Sequence, residues 1–417
     1  MQTESRQGKS IEYWLLLSMG ILYFCSNLQK IIIPGSTFNE VQNALAVDAS
    51  AVTRISACFF YVYAMMQLVV GPLSDRFGGP RVISVGALFL VTGGVMSSYL
   101  VSPGFLMFSR VLTGIGAAVM YLPTVRETTR LFPKNYVTFL GVLILVGYSG
   151  SIVGAAPFIA GVQKLGYHRM VLGAGLFCLA VFALFMTLFL RAPKQPANAA
   201  ARISVKGYLS VCKSWMNICI ILNMGFTFGL YFIFQMIIGK KLLEDFCRMS
   251  ANGAGMVTTV TMLIAACNGF LTALLCRMMN NRRKPFIYFS SYGSLFSLLC
   301  IFVAVLLDCH SPWPVIAGMV LVAFAGNMSP IHTSMIRDSN EESRFGTALS
   351  IGNAFAYTVP ALLGGLCGKL MDCYEPTLID GVKYYGRSSY LLALGMMLCF
   401  NLIAVVSGQI ICRSSKL

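Results

Sequence analysis

The sequence predicts an all-α membrane protein with twelve transmembrane helices in two pseudo-symmetric six-helix bundles. The 417 residues are 57% hydrophobic and only 11% charged, whereas a soluble domain carries about a quarter charged residues. The apolar residues also form twelve runs of about 20 residues, the length that crosses a hydrocarbon core. Lipid is therefore the expected solvent of this chain.

The predicted spans follow one another with short polar links. They cover about 13–33, 54–73, 82–101, 105–125, 138–160, 170–190, 214–238, 254–276, 286–307, 313–335, 346–368 and 389–411. The longest link on one side of the membrane lies between the sixth and seventh spans. It divides the chain into an N-terminal bundle (1–190), a cytoplasmic linker (191–213) and a C-terminal bundle (214–417).

The distribution of Lys and Arg predicts the orientation. Most of them fall on the side of the N-terminus, which places both termini in the cytoplasm. The same bias explains the net charge of +16, so we expect no nucleic-acid partner. The first apolar run ends without a small-residue cleavage site, and we therefore expect no removable signal peptide.

The fourteen cysteines show no metal-ligand spacing, and most lie within apolar runs, where a free thiol behaves as a small hydrophobe. Cys309 and Cys373 fall in predicted outer loops, so a bridge and two free thiols both stay open. We expect no metal and no cofactor. The sequence also has no nucleotide-binding loop and no plausible catalytic triad, which argues against an enzyme.

A charged, glycine-rich turn, GPLSDRFGGPR at residues 71–81, joins the second and third predicted spans. It matches G-x-L-x-D-R-x-G-x-x-R and resembles the loop between the second and third helices of the major facilitator superfamily. The resemblance implies that this loop latches the two halves together when the cytoplasmic side is closed, near the turn at 344–346. The implied gating residues are Gly71, Asp75, Arg76, Gly78 and Arg81.

Two glycines of this turn have expected roles of their own. Gly71 should let a neighbouring helix approach closely, and the Gly78 pair should supply the tight reversal of the chain. The alternative is a turn that only carries positive charge on the inner side, without a gating role.

The fourth span resembles a second motif of the same superfamily, R-x-x-x-G-x-G-A-A, from Arg110 to Ala118. Its small residues favour close helix packing in lipid. Arg110 lies inside the span, so it either has a function or extends to the outer boundary. The glycines of 147–157 resemble an antiporter signature with its proline displaced, and packing explains them equally well.

An internal repeat supports two related halves. Residues 123–130 (PTVRETTR) resemble residues 330–337 (PIHTSMIR), in the fourth and tenth spans. A duplicated transporter of this kind binds its substrate near the membrane midplane, between the halves.

The superfamily resemblance implies that spans one, four, seven and ten line the pathway. On their spacing and polarity, the candidate pathway residues are Tyr23, Asn27, Lys30, Arg110, Tyr121, Arg126, Tyr148, Asn223, Thr227, Tyr231, Asn327 and His332. Each alone could equally be a helix-packing contact. His332 could shuttle a proton or serve a structural role.

Charge indicates the substrate class. None of the fifteen acidic residues lies near the middle of a span, and Glu127 comes nearest. The embedded charges are basic: Lys30, which lies towards the outer mouth, Arg54, Arg110 and Arg126. A positively charged pathway concentrates anions.

We therefore predict a secondary transporter that moves a small organic anion by alternating access. An exporter of amphipathic, drug-like compounds is the alternative, followed by a non-transporting membrane sensor on the same scaffold. The expected partners are a small-molecule substrate, a coupling proton or ion, and the lipid bilayer. The short loops resemble bacterial members, so we expect the inner membrane, with an organelle as the open alternative. We also expect a monomer, with symport and antiport both open.

Overall fold

Helices make up most of the computed structural model, which describes residues 2–132, 136–193, 209, 211–340, 342–379 and 382–413. Within those residues, twelve helices are long and apolar enough to cross a membrane. They form two six-helix bundles, so the predicted fold class is confirmed. Most of the predicted linker, residues 194–208 and 210, lies outside the described residues, and the exact boundaries of the bundles stay a prediction.

The elements follow one another along the chain with short connections. They are α1 Gln2–Ile31, α2 Phe38–Leu45, α3 Ala49–Phe77, α4 Gly79–Met96, α5 Pro103–Ala118, α6 Tyr121–Leu131, α7 Tyr136–Gly154, α8 Ala156–Leu165, α9 Tyr167–Arg191, α10 Trp215–Ile233, α11 Gly239–Asp245, α12 Ala251–Met278, α13 Lys284–Leu306, α14 Pro312–Gly326, α15 Ser329–Asp338, α16 Glu342–Met371, the strands β1 Thr377–Ile379 and β2 Val382–Tyr384, and α17 Arg387–Arg413.

The fourth and tenth spans are each interrupted at the same place, which agrees with the internal repeat. α5 ends at Ala118 and α6 follows, while α14 ends at Gly326 and α15 follows. The cause is a proline just after each break, Pro123 and Pro330. A proline has no N–H to offer the carbonyl four residues earlier, so the ladder is interrupted there.

The first and seventh spans form a second matched pair. Each ends in a short π-helical segment, Ile32–Ser36 and Phe234–Ile238, followed by a short helix, α2 and α11. The two π-helical segments pack against each other, and α3 packs along α16. α7 and α8 pack against α12. These contacts join the two halves of the molecule.

The two ends of the bundles differ. The strands pair antiparallel, with Thr377 opposite Tyr384, and form a hairpin between the last two spans. We call this side the hairpin end, and the opposite side, where α9 ends and α10 begins, the linker end. All fourteen cysteines are free thiols in the structure, including Cys309 and Cys373.

Candidate functional site

A large cavity lies between the two halves of the molecule. Its volume is about 1080 Å³, and it runs from the middle of the bundles to Asp338 and Asn340 at the linker end. Tyr23, Tyr121, Tyr148, Asn327 and His332 line it, which brings together predicted residues from the first, fourth, fifth and tenth spans.

A second, small cavity of about 50 Å³ lies on the hairpin side of the first. Lys30 and Asn27 line it, and so does Tyr231 of the seventh span. Tyr23, Tyr148, Phe228 and Tyr357 line both cavities. An aromatic layer in the middle of the molecule therefore separates two compartments.

The aromatic layer is held by ring contacts within and between the halves. Tyr23 lies 5.3 Å from Tyr121, centroid to centroid, within the N-terminal half. Tyr63 and Tyr357 meet across the halves at 4.4 Å. Asn327 donates to the Tyr148 hydroxyl at 3.4 Å and to the Ala265 carbonyl at 2.8 Å, which adds a polar contact between the halves.

Lys30 is the charged group of this layer. Its side chain is 4% exposed, and its ammonium lies 4.7 Å from the ring centroid of Tyr63 and 5.4 Å from that of Tyr357. It donates one long hydrogen bond to Asn27 Oδ1, at 3.4 Å. Among the described side chains, no carboxylate lies within ion-pair distance of the ammonium. The sequence places Lys30 towards the outer mouth, whereas the structure extends its span to Ser36 and buries it.

Arg110 supports the backbone that carries Lys30. Its guanidinium donates to the carbonyl of Gln29 at 2.9 Å and to that of Lys30 at 3.4 Å, and it lies 4.4 Å from the centre of the Phe59 ring. The Lys30 carbonyl has no α-helical partner of its own, because Pro34, four residues on, has no N–H. Arg110 is 1% exposed, so it neither extends to the boundary nor lines a described cavity.

The other predicted basic residues lie away from both cavities. Arg54 lies within the second span, but its side chain is exposed on α3 and lines neither cavity. Arg126 is half-buried on α6, and neither cavity includes it. The next residue along the chain, Glu127, is buried and forms an ion pair with Arg130 at 2.7 Å.

The predicted stripe on the seventh span divides between two roles. Asn223 donates to Ser291 Oγ and to the Ala404 carbonyl, both at 2.7 Å, and its Oδ1 lies 2.8 Å from Nε2 of His332. Thr227 donates to the Asn223 carbonyl at 2.8 Å. Asn223 therefore holds helices together inside the C-terminal half, whereas the bond of Thr227 stays within its own helix. His332, which lines the large cavity, connects Asn223 to it.

Four spans outside the predicted four, the second, fifth, eighth and eleventh, also line the large cavity. The second span contributes Tyr63 and Gln67, and the eleventh contributes Asn353 and Tyr357. Each pair is spaced by four residues, so each shares one helical face. That spacing of polar groups within apolar runs is the sequence signal that could have identified these cavity-lining residues.

At the hairpin end, Asp372 closes one contact between the halves. Its carboxylate accepts the backbone N–H groups of Ala49 and Ser50, at 3.1 and 2.7 Å, at the start of α3. It also accepts the Tyr385 hydroxyl at 3.0 Å, which in turn accepts Gln42 Nε2 at 2.9 Å. Burial and the nearby Asp372 charge raise the pKa of Tyr385, so the hydroxyl keeps the proton that it donates.

A buried ion pair lies next to this contact. Lys241 and Asp245 meet at 2.9 Å with side chains fully buried. Asp245 also accepts the Tyr385 N–H and the Tyr390 hydroxyl, both at 2.9 Å. Lys241 donates to the Lys383 carbonyl at 2.6 Å. The hairpin is thereby fixed to the end of the seventh span.

Further hydrogen bonds cross between the halves at this end. Lys240 donates to the Ser36 carbonyl at 3.1 Å, and Asn39 donates to Glu244 at 2.9 Å. Together with Asp372, these groups close the hairpin end above Lys30. None of them was among the predicted site residues, because the predicted seventh span stopped at 238.

The predicted gating loop at the linker end makes contacts within its own half. Arg76 lies over the Phe77 ring at 5.2 Å, and Arg81 donates to the Phe77 carbonyl at 3.3 Å. Gly78 has a φ of +87°, which favours glycine. A Cβ on Gly71 would meet open space, so the predicted close approach there is wrong. The side chains of Asp75 and of 344–346 lie outside the described residues.

Close approach occurs instead at other glycines. A Cβ on Gly79 would lie 2.8 Å from the Pro123 carbonyl, and one on Gly114 would lie 2.8 Å from that of Phe59. Gly150 and Gly154 of the fifth span pack against the first span, which supports the packing interpretation of those glycines.

Twelve apolar helices in two bundles, with a cavity between the bundles, define a multi-pass membrane protein with a central cavity. The family described as Major Facilitator Superfamily matches residues 15–242 of this chain. The match covers more than half of the sequence, so the protein belongs to the major facilitator superfamily, as its motifs predict.

Individual relatives share only about a quarter of their residues with the matched part of this chain. Methylenomycin A resistance protein of Bacillus subtilis (strain 168) is 25% identical over 40% of this chain and 36% of its own length. Monocarboxylate transporter 7 of Homo sapiens is 25% identical over 39% of this chain and 32% of its own length. The chain thus spans about a third of the length of these two relatives.

Among solved structures, the crystal structure of the nucleoside transporter NupG (D323A mutant) is similar in fold. The TM-score is 0.70 at 14% sequence identity, and the alignment covers 94% of this chain and 99% of NupG. At this identity the likeness concerns the fold alone.

Proposed function

We propose that this protein is a secondary active transporter that moves a small organic anion across the membrane by alternating access. One observation carries the proposal: the buried ammonium of Lys30 has no carboxylate within ion-pair distance among the described residues. An uncompensated charge in a low-dielectric interior is costly. A substrate anion that reaches Lys30 would supply the missing charge.

The two ends of the molecule support the transport cycle. The hairpin end is closed by polar contacts between the halves, while the large cavity reaches the linker end. With both termini in the cytoplasm, as we propose, this conformation faces inward. The halves 1–190 and 214–417, joined by the linker 191–213, would then rock about the substrate, and the gating loop would engage when the linker end closes.

The proposed pathway has two parts. Lys30, Asn27 and Tyr231 line the small cavity, and Arg110 holds the Lys30 backbone. Tyr121, Asn327 and His332 line the large one. We place the protein in a bacterial inner membrane as a monomer. Its coupling ion, in symport or antiport, would act without a carboxylate in the small cavity.

Uptake into proteoliposomes tests the proposal. Purified protein is reconstituted and supplied with radiolabelled carboxylates and phosphate esters, one at a time. Lys30→Gln should abolish the uptake that the wild type shows. Arg54→Gln is the matched control, because it also removes one positive charge from a span but at an exposed position. Equal anion uptake by wild type and Lys30→Gln would refute the proposed role.

Export of amphipathic, drug-like compounds is the second candidate. The size of the large cavity and its tyrosine-rich lining favour it, and a resistance protein is among the relatives. The same proteoliposomes, loaded with a cationic dye, separate the two candidates. Dye efflux without uptake of any tested anion would favour the exporter. Binding without transport of any compound would favour a sensor.

A further inference from the structure

We infer that the substrate is a monocarboxylate, with its carboxylate at Lys30 in the small cavity and an uncharged body in the large cavity. This inference rests on the proposed anion transport and narrows it to one class of anion.

The number of charges in the site sets the charge of the substrate. Among the described residues that line the two cavities, Lys30 is the one lysine, arginine, aspartate or glutamate away from the linker end. The other two such residues, Arg337 and Asp338, are exposed at that end, where Asp338 pairs with Arg283. A monoanion neutralises a single buried cation. A dianion would leave one negative charge uncompensated among aromatic rings, which is unfavourable.

The size of the small cavity selects the anionic group. A buried water requires about 10–15 Å³ of comparable volume, so the 50 Å³ here corresponds to roughly three to five water-sized positions. A carboxylate, with three heavy atoms, fits within that volume. A phosphate, with five heavy atoms, would fill that volume. It would also carry nearly two negative charges at neutral pH.

The walls of the two cavities separate the parts of the substrate. Opposite Lys30, the small cavity is walled by Phe232, Met236 and Met262, which offer no second charge. The large cavity presents neutral amides, Gln67 and Asn353, and tyrosine rings. An uncharged body with hydroxyl groups or an aromatic ring matches these walls.

Ligand-dependent thermal stability of the purified full-length protein tests the inference, because a ligand that binds the folded state raises its melting temperature. The probes are lactate, gluconate and benzoate. Each is compared with its primary amide, with a dicarboxylate of similar size and with a phosphate ester of similar body. At least one monocarboxylate should stabilise the protein. Its amide should not, and its dicarboxylate and phosphate counterparts should bind at least about tenfold more weakly.

Variants identify the site. Lys30→Gln should lose the stabilisation, whereas Lys30→Arg, which keeps the charge, and Arg54→Gln should retain it. Each variant must elute as a single species before its shift is interpreted. If Lys30→Gln fails to fold, Lys30→Met takes its place as the variant without the positive charge.

Four outcomes would overturn the inference. Equal, Lys30-dependent binding of a dicarboxylate or phosphate ester refutes the single charge but leaves anion transport standing. Monocarboxylate binding that survives in Lys30→Gln refutes the site. Stabilisation by the uncharged amides alone refutes both the inference and the proposed function. A panel without any Lys30-dependent shift refutes the inference.

Discussion

Replacement of Asp372 by asparagine should loosen the hairpin end of the molecule. The carboxylate accepts two backbone N–H groups at the start of α3, from Ala49 and Ser50. A hydrogen bond to a charged group contributes about 1.5–3 kcal/mol and a neutral one about 0.5–1.5. Loss of the charge therefore weakens each of the two bonds by about 1 kcal/mol, and the contact by about 2 kcal/mol. The equilibrium between closed and open forms of the hairpin end then shifts roughly 30-fold towards the open form.

Amide hydrogen exchange measures this shift, because exchange of a protected N–H reports the population of open states. Peptides that cover the start of α3 and the segment around Tyr385 should exchange roughly 30-fold faster in Asp372→Asn. Glu375→Gln is the matched control, since it removes an exposed carboxylate from the same loop. The reasoning fails if Asp372→Asn leaves the exchange unchanged, or if Glu375→Gln accelerates it equally.

Three further substitutions test other contacts. Lys241→Met should destabilise the protein by about 3–5 kcal/mol, because Asp245 stays buried without its partner. The melting temperature should recover in the double variant with Asp245→Asn. A double variant that melts no higher than Lys241→Met would contradict the ion pair. Arg110→Gln should lower the unfolding free energy by about 2 kcal/mol or more, because two buried carbonyls lose their hydrogen bonds to the guanidinium. An unchanged unfolding free energy would indicate a solvated guanidinium and contradict this role. Gly116→Ala should lower the unfolding free energy by about 1–3 kcal/mol, because the added methyl group would clash with the backbone of the adjacent helix. Gly173→Ala is the control, since position 173 faces open space and should tolerate the methyl group. Equal melting temperatures of the two variants would contradict this packing.

Much of the fold could be predicted because the length of the apolar segments dominates it. Apolar length determines which segments cross lipid, and all twelve predicted spans are present in the structure. The ends were less predictable. The seventh span continues beyond 238 to Asp245 because Lys240 and Lys241 pair with acidic residues one turn away and are buried. A hydropathy pattern counts those charges as polar and ends the span before them.

The candidate site was only partly predictable. Helical spacing placed Tyr23, Asn27 and Lys30 on one face, and all three line a cavity. Spacing could not say which face of a helix points at the other half of the molecule. Asn223 therefore turned out to hold helices together inside its own half, and Tyr63 was missed on a span outside the predicted four.

Lys30 and Arg54 show where the sequence alone stops. Both are single basic residues in apolar spans. From the spans and the cassette at 71–81, the sequence by itself determined a twelve-span membrane protein of the major facilitator superfamily, and it predicted two related halves. Only the tertiary structure turns Lys30 inward among tyrosines and leaves Arg54 exposed. The physical reason is that the inward face of a span is decided by its packing against other spans. Those contacts, such as the ring of Tyr357 beside Lys30, join residues hundreds of positions apart in the chain.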